Sequence, residues 1–419
     1  MNQMLLEKWD GLINTDKIGA ISDTYRRRVT AQLLENQEKF LQESSATSVT
    51  SNVQNWDPIL IGLVRRMAPK LIAYDLCSVQ PMSGPTGLVF AMRSKYDRTP
   101  AYTKPGASGY VGKQTDDEAL HFEADTSFSG TGTHADPYDP YSDTFNPSGS
   151  NYGTAMATSD AEADDSWNSM SMTIEKISAT ARTRQLRADY SIEMAQDLKT
   201  MHGLEADSEI ANMLSTEIIA EINREITRTI YGHASAGAQW SGIDTRGTFD
   251  LDNDADGRWS LEKYKGLMFA IERDANQIAL DSRRGKGNIL LTSADVASAL
   301  NMAGVLNYTN MSGGQQMEVD VTGVTFAGMM GRFKVYVDPF VSSPGYTVGY
   351  RGANVWDAGI YYCPYVPLQI FRATNVDTFS PAIGFKTRFA LLANPFTNSD
   401  GAISGGTSPY FRRVAVRGL

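Results

Sequence analysis

The chain has 419 residues, 42% of them apolar and 10% aromatic, which is enough for two or three packed domains and unlike a disordered composition. Its formal net charge of −10 argues against a protein whose main task is gripping nucleic-acid phosphates, since that task needs a clustered basic face. The two cysteines, Cys77 and Cys363, stand outside any CxxC pair, so neither a disulfide framework nor a structural zinc site is implied, and a reducing cytoplasm fits.

Glu7, Lys8 and Asp10 interrupt the opening residues, so no signal-peptide core forms there. No later run approaches the roughly 20 uncharged apolar residues of a membrane span. Leu5, Leu6, Trp9, Leu12 and Ile13, then Ile21, Tyr25, Val29 and Leu33, recur at spacings of three and four, which predicts a separate amphipathic helical segment over 1–43. Ser44, Ser45, Thr47, Ser48, Thr50, Ser51 and Asn52 then offer almost nothing to bury, and a boundary is expected near Glu43. From Trp56 to Cys77 the apolar density rises, with Pro58, Pro69, Pro81 and Pro85 dividing the stretch into short elements, an arm leading into the core. Leu88, Phe90 and Met92 alternate with Val89, Ala91 and Arg93, a strand. The stretch from Met170 to Leu186 is its expected partner, and the pair forms a long two-stranded arm. Such a hairpin is marginal alone in water and needs another surface, such as a neighbouring subunit. Between the two, from about Arg98 to Ser166, runs a turn-rich polar stretch including HADPYDPYSDTFNPSGSNYGT, read as surface loops or a small irregular domain.

Ile210, Leu214, Ile218, Ile222, Ile226 and Ile230 recur at every fourth residue, with Glu217, Glu221 and Glu225 beside them. This predicts one long amphipathic helix from Asp207 to Tyr231, on the order of 36 Å, with Gly203 separating it from a shorter helix starting near Ser191. A step of four overshoots the 3.6-residue period, so the stripe drifts and different ends bury against different elements. Leu267, Met268, Ile271, Ala275 and Ile278 predict a helix, Ile289 to Leu291 a strand, and Asp295 to Leu300 a helix capped by Ser293. Phe333, Val335 and Val337, and Tyr410 to Val416, predict further strands, giving a mixed α+β fold.

The chain offers little chemistry. His121, His134, His202 and His233 are scattered, and neither HExxH nor GxSxG occurs. GASGYVGKQ, from Gly106 to Gln114, fails as a phosphate loop: its first glycine is one residue early and Gln114 replaces the magnesium-binding Ser or Thr. Asp252, Asp254, Asp256 and Gly257 open like a calcium loop, but the twelfth position is Lys263 where a bidentate Glu is required, and a solvated acidic turn is the expectation. Arg283, Arg284 and Lys286 read as a solvated turn.

The segment PILIGLVRRMAPKLIAYDLCSVQPMSGPTGLVFAMRSKY, from Pro58 to Tyr96, closely resembles the major capsid proteins of T-even-like myophages. The likeness continues through RQLRADYSIEMAQDL from Arg184, EINREI from Glu221, GRFKVYVD from Gly331, DAGIYYCPYVPL from Asp357, GFKTRF from Gly384 and YFRRVAVRG from Tyr410. It covers most of the chain apart from 98–166.

The resemblance implies a Hong Kong 97-type phage capsid fold with an N-terminal arm, an extended loop carrying an insertion, a long spine helix, and peripheral and axial domains. The boundaries it implies are a helical propeptide over 1–43, the N-terminal arm over 44–86, the extended loop over 87–187 with the insertion at about 98–166, a peripheral domain over 188–262, an axial domain over 263–360, and a return to the peripheral domain with a C-terminal strand over 361–419. Relatives lose an N-terminal propeptide to a prohead protease that cuts after Leu-x-Glu or Ile-x-Glu. Leu41-Gln42-Glu43 before Ser44 matches, beside the Ser/Thr-rich stretch where backbone can enter a protease. Leu33-Leu34-Glu35 matches too but lies within the helical pattern, so the expected cut follows Glu43.

The implied function is assembly, mainly as hexamers, into a head shell enclosing double-stranded DNA without sequence-specific binding, with no enzymatic activity, no cofactor and no metal. Implied partners are further copies of the chain, the vertex capsid protein, the scaffolding core and prohead protease, the portal and decoration proteins. Localisation is the virion capsid, assembled in the bacterial host cytoplasm. Two readings stay open: a pentamer-forming vertex paralogue, and a soluble enzyme or binding module forming a small oligomer around a ligand pocket.

Overall fold

In the computed structural model of the chain, the amphipathic N-terminal pattern becomes two helices, α1 (Asn2–Ile13) and α2 (Thr24–Ser45). The structure describes residues 2–13, 21, 23–45, 71–97, 119–120, 124, 126, 128–131, 153–163, 167–240, 243–255, 257–282, 284–308, 323–352, 354, 357–375, 380–393 and 408–419. The expectations for 46–70, for 106–114 and for most of the insertion lie outside them. The two helices pack through Trp9, Ile13, Ala31 and Leu34, and Lys8 of α1 pairs with Glu35 of α2 at 2.9 Å and with Glu38. The second helix ends at Ser45, just beyond the boundary expected near Glu43.

A short helix α3 (Ala73–Leu76) leads into β1 (Ser78–Val79) and the long strand β2 (Thr86–Asp97). Of the insertion, the described residues include an isolated bridge between Thr131 and Thr154 and a short helix α4 (Thr158–Glu162). The chain returns through β3 (Ser169–Thr180) and β4 (Arg182–Asp189). β2 and β3 pair antiparallel from Thr86 opposite Thr180 to Asp97 opposite Ser169. The ribbon therefore stops short of Leu186, where the sequence pattern had carried it. At its base the Ala181 N–H donates to Pro85 C=O at 2.9 Å, and beyond that point Leu186 and Ala188 turn to pack on the main core.

The helix α5 (Ile192–His202) starts at Ser191, whose hydroxyl accepts from the Met194 N–H, and ends at Gly203, which holds a left-handed φ of 67° that favours glycine. The spine α6 (Ala206–His233) follows and extends the predicted helix at both ends. Its buried column Leu214, Ile218, Ile222, Ile226 and Ile230 is joined by Ile219, Asn223 and Thr227, one residue on and about 100° round the helix, so the spine buries a wide face. Beyond it come β5 (Ala234–Ala236), β6 (Thr248–Asp250), α7 (Ser260–Ser282), β7 (Ile289–Ser293), α8 (Ala294–Met302), β8 (Asn307–Tyr308), β9 (Thr325–Met330), β10 (Phe333–Asp338), β11 (Gly345–Gly349), β12 (Ile360–Thr374), β13 (Pro381–Ala393) and β14 (Ser408–Arg417). Ser293 occupies the N-cap position of α8, but its side chain makes no cap bond; the hydroxyl instead accepts from the Gly345 N–H at 3.3 Å.

Two larger sheets organise the body. One has four strands in the order β1-β12-β13-β4. The other has eight, in the order β5-β14-β11-β7-β10-β9-β8, with β6 also on β14. The spine packs with Tyr362, Leu368, Ile383 and Phe385 of the first sheet to form the main core. A second core joins Leu267, Ile271 and Ile278 of α7 to Leu290, Val335 and Val348 of the second sheet. β14 connects them, placing Phe411 in the first core and Val414 and Val416 in the second. The C-terminal strand and the strands within 234–250 thus share a sheet with the 289–349 elements. Among the described residues no helix is long and apolar enough to cross a membrane.

Candidate assembly surfaces

The β2–β3 ribbon has two unlike faces. Opposite residues of an antiparallel pair share a face, and each strand alternates faces. Val89 and Ala179 lie on one face and are buried with Met82, Tyr361, Cys363 and Ala390, which anchors the root of the ribbon on the four-stranded sheet. The opposite face carries Leu88, Phe90, Ile174, Met172 and Met170, which are 54%, 43%, 64%, 69% and 51% exposed. These five side chains stay exposed, while Tyr96, opposite Met170 on the same face, is buried. At the far end Tyr96 packs against Phe128 of the insertion with ring centroids 4.6 Å apart, and the Ala119 N–H donates to Ser94 C=O at 2.7 Å. The insertion is therefore seated on the arm. Large apolar side chains exposed together on one face of a ribbon make that face a candidate interaction surface.

The ribbon is held to a rigid frame. Arg184 of β4 donates to Glu221 at 2.8 Å and Glu225 at 2.6 Å, riveting its strand to the spine. Between those two glutamates, Arg224 donates to Asp338 at 2.6 Å; that carboxylate is fully buried and also accepts from the Tyr231 hydroxyl at 3.1 Å and the Phe340 N–H at 3.0 Å. This ties α6 to the end of β10. In the second core Asp274 accepts from the Ala238 N–H at 2.9 Å and the Tyr346 hydroxyl at 2.8 Å. Burial raises its carboxyl above the usual range, and those two hydrogen bonds oppose the rise.

The proposed processing residues Leu41, Gln42, Glu43 and Ser44 form the last turn of α2, not an extended segment. Leu33 and Leu34 of the second triplet are buried. No signal in the sequence gave the docking of α2 on the body, which depends on Tyr25, Arg26 and Asn36 reaching residues far along the chain.

The weak chemical motifs resolve into structural roles. Lys263, at the position where a calcium loop needs Glu, places its ammonium 2.5 Å from Asp252, and Asp254 accepts from the Asp244 and Asp250 N–H groups. Asp256 lies outside the described residues. Arg284 is 3.5 Å from Asp357, while Arg283 lies outside the described residues. His202 is exposed, the Nδ1 of His233 is 2.9 Å from Thr229 C=O, and His121 and His134 lie outside the described residues. Burial pushes the thiols of Cys77 and Cys363 up to about 12, which keeps them protonated and unreactive. Among the described residues no cluster of three His, Cys, Asp or Glu could hold a metal ion.

A family model described as major capsid protein Gp23 matches residues 53–416. The major capsid protein of Salmonella phage ViI is 39% identical over 428 residues, 96% of this chain and 94% of that protein. That of Enterobacteria phage T4 is 32% identical over 525 residues, 99% of this chain and 98% of that protein. The capsid vertex protein of the same phage is 24% identical over 265 residues, 59% of this chain and 58% of that protein. Among solved structures, the capsid of Myoviridae phage XM1 aligns with a TM-score of 0.41 and 11% identity, over 83% of this chain and 92% of that one.

Proposed function

Because this chain belongs to the Gp23 major capsid protein family and so builds the head shell of a tailed phage, we propose that it closes mainly into hexamers whose arms each lie on the neighbouring copy. The observation that carries this is the uncovered stripe of Leu88, Phe90, Ile174, Met172 and Met170 on a ribbon that is marginal without a supporting surface. In a ring the same two patches meet head to tail, so one arm per subunit closes the assembly by a heterologous contact. Individually weak contacts then act at high effective concentration.

In this reading the architecture is the Hong Kong 97 type, with α6 as the spine, the β2–β3 ribbon as the extended loop, and α7 with the eight-stranded sheet forming the axial part. Residues 1–43 are a propeptide removed after Glu43 by a prohead protease. The cut falls in the final turn of α2, where unsatisfied carbonyls favour fraying and give a protease access. The chain performs no catalysis. It assembles in the host cytoplasm with a scaffolding core, a portal, a vertex capsid protein and decoration proteins, and encloses double-stranded DNA behind an acidic wall.

The vertex-forming role is the second reading, favoured by the partial match to a vertex protein, but the match to the major protein of the same phage is higher in identity and spans nearly the whole chain. Coexpression of the chain with its scaffolding core, followed by electron microscopy and a count of copies per particle, tests both. Shells or tubes built of hexamers support the proposal; a small discrete oligomer overturns it.

A further inference from the structure

The N-terminal helices are fastened to the body by more than the peptide chain. β1 is the outermost strand of its sheet, and the neighbouring Gln80 N–H reaches Tyr362 C=O at 2.8 Å, so the Val79 N–H and C=O face the open edge. Tyr25 of α2 closes that edge. Its phenol oxygen accepts from the Val79 N–H at 2.9 Å, and its proton is donated to Val79 C=O. Farther along the helix Asn36 is buried and donates to Met82 C=O at 2.8 Å and to Tyr365 C=O at 3.0 Å. Arg26 pairs with Asp75 at 3.0 Å and lies 5.3 Å above the Tyr74 ring. Between these anchors Val29 and Leu33 enter the main core. Each contact joins a side chain within 25–36 to a body residue, and none depends on the chain continuing beyond Ser45.

We propose that the body carries a binding site for the α2 helix of its own N-terminal segment, so that cutting the chain leaves the fragment seated and its release is a separate, later step. This rests on the reading that the segment is removed. The cut after Glu43 severs the last turn of α2 and leaves the contacting residues 25–36 untouched. While the helix is seated, Leu33 and Leu34 are buried, so the triplet ending at Glu35 opens to a protease only after release. The seat thereby imposes an order: cut at Glu43, departure of the helix pair, then further digestion of the freed peptide. Departure also exposes the Val79, Met82 and Tyr365 backbone groups, which makes the shell responsive to release and not to the cut alone.

The test inserts a recognition sequence for a site-specific protease between Ser45 and Ala46 of the full chain. After complete cleavage, native gel filtration at micromolar concentration with mass spectrometry of each peak shows whether the fragment travels with the body. Co-elution that denaturant abolishes is the expected result. Tyr25→Phe and Asn36→Ala each raise the fragment's dissociation constant by roughly 5- to 150-fold, the scale of the two hydrogen bonds each side chain makes, whereas exposed Lys39→Ala leaves it unchanged. Immediate elution of the unsubstituted fragment as a free peptide overturns the proposal, and that arm of the test needs no variant to fold. Because the inserted site is cut by its own protease and not by the natural one, N-terminal sequencing of mature heads tests the Glu43 reading separately, and the two can fail independently.

Discussion

Replacing Met172 and Ile174 together by serine should leave the subunit folded and cripple assembly. Both project from the uncovered face of the ribbon, 69% and 64% exposed, so the isolated subunit has little packing to lose there. Fully burying a side chain of this class contributes about 1.5–3 kcal/mol. With about two thirds of each still available to a neighbour, covering them contributes roughly 1–2 kcal/mol apiece, or about 2–4 kcal/mol per arm. The double substitution therefore weakens each arm contact by roughly 30- to 1,000-fold, and a ring of six loses on the order of 12–24 kcal/mol. The assay compares shell yield on a density gradient and by negative stain, with circular dichroism and thermal melting of the unassembled chain as the fold control. Shells at wild-type yield from a normally folded variant would refute the reasoning, because the stripe would then contribute nothing between copies.

Three other outcomes follow from the same geometry. Arg224→Ala strips the strongest partner from the buried carboxylate of Asp338 and should cost about 2–3 kcal/mol in urea unfolding, below the 3–5 kcal/mol of a fully buried pair because Arg224 is partly exposed. A loss under about 0.5 kcal/mol, the scale of an exposed pair, would show that Tyr231 and the Phe340 N–H suffice. Asp274 has a carboxyl raised by burial, so the folded chain holds its proton more tightly than the unfolded one; the stability this brings is complete below the unfolded value near 3.8 and declines as pH rises through the folded value. Asp274→Asn lacks that decline, so its melting temperature relative to the wild type should climb as the pH is raised from about 4 to 7, and a flat or falling difference would contradict the assignment. Glu43→Gln should leave the full N-terminus on assembled particles, read by intact mass spectrometry, and normal processing of that variant would move the cut elsewhere.

The spine was legible because one step of four repeated along a whole helix, whereas the second buried column at Ile219, Asn223 and Thr227, which includes two polar residues, was not. The arm was legible from its alternation, but its end was not: the period of two runs on past Ala181 into β4, and only the closing bond from Ala181 to Pro85 and the register of β4 on β13 show that the chain changes sheets. The β12–β13 hairpin went unread because Pro364 and Pro367 interrupt the strand pattern. The structure absorbs them with register shifts at Pro364/Val366 and Val366/Gln369, and the Thr387 hydroxyl donates to Val366 C=O at 3.1 Å. Ser293 has the right residue type at the right place for a cap, yet its hydroxyl serves β11 instead. For the assembly surfaces, the sequence identified the strands but not which face would stay bare, since that depends on the root of the ribbon burying Val89 and Ala179 against the four-stranded sheet. The proposed processing triplet is a one-dimensional motif, whereas the seat that holds α2 joins Tyr25 to Val79 and Asn36 to Tyr365, separations that local periodicity cannot reveal.

Cryo-electron microscopy of the assembled head addresses the central claim most directly. This chain should fill the hexameric positions of the shell, with the Leu88, Phe90, Met172 and Ile174 stripe of each copy covered by the adjacent one. Shell positions filled by another protein, or the stripe facing solvent on every copy, would contradict it.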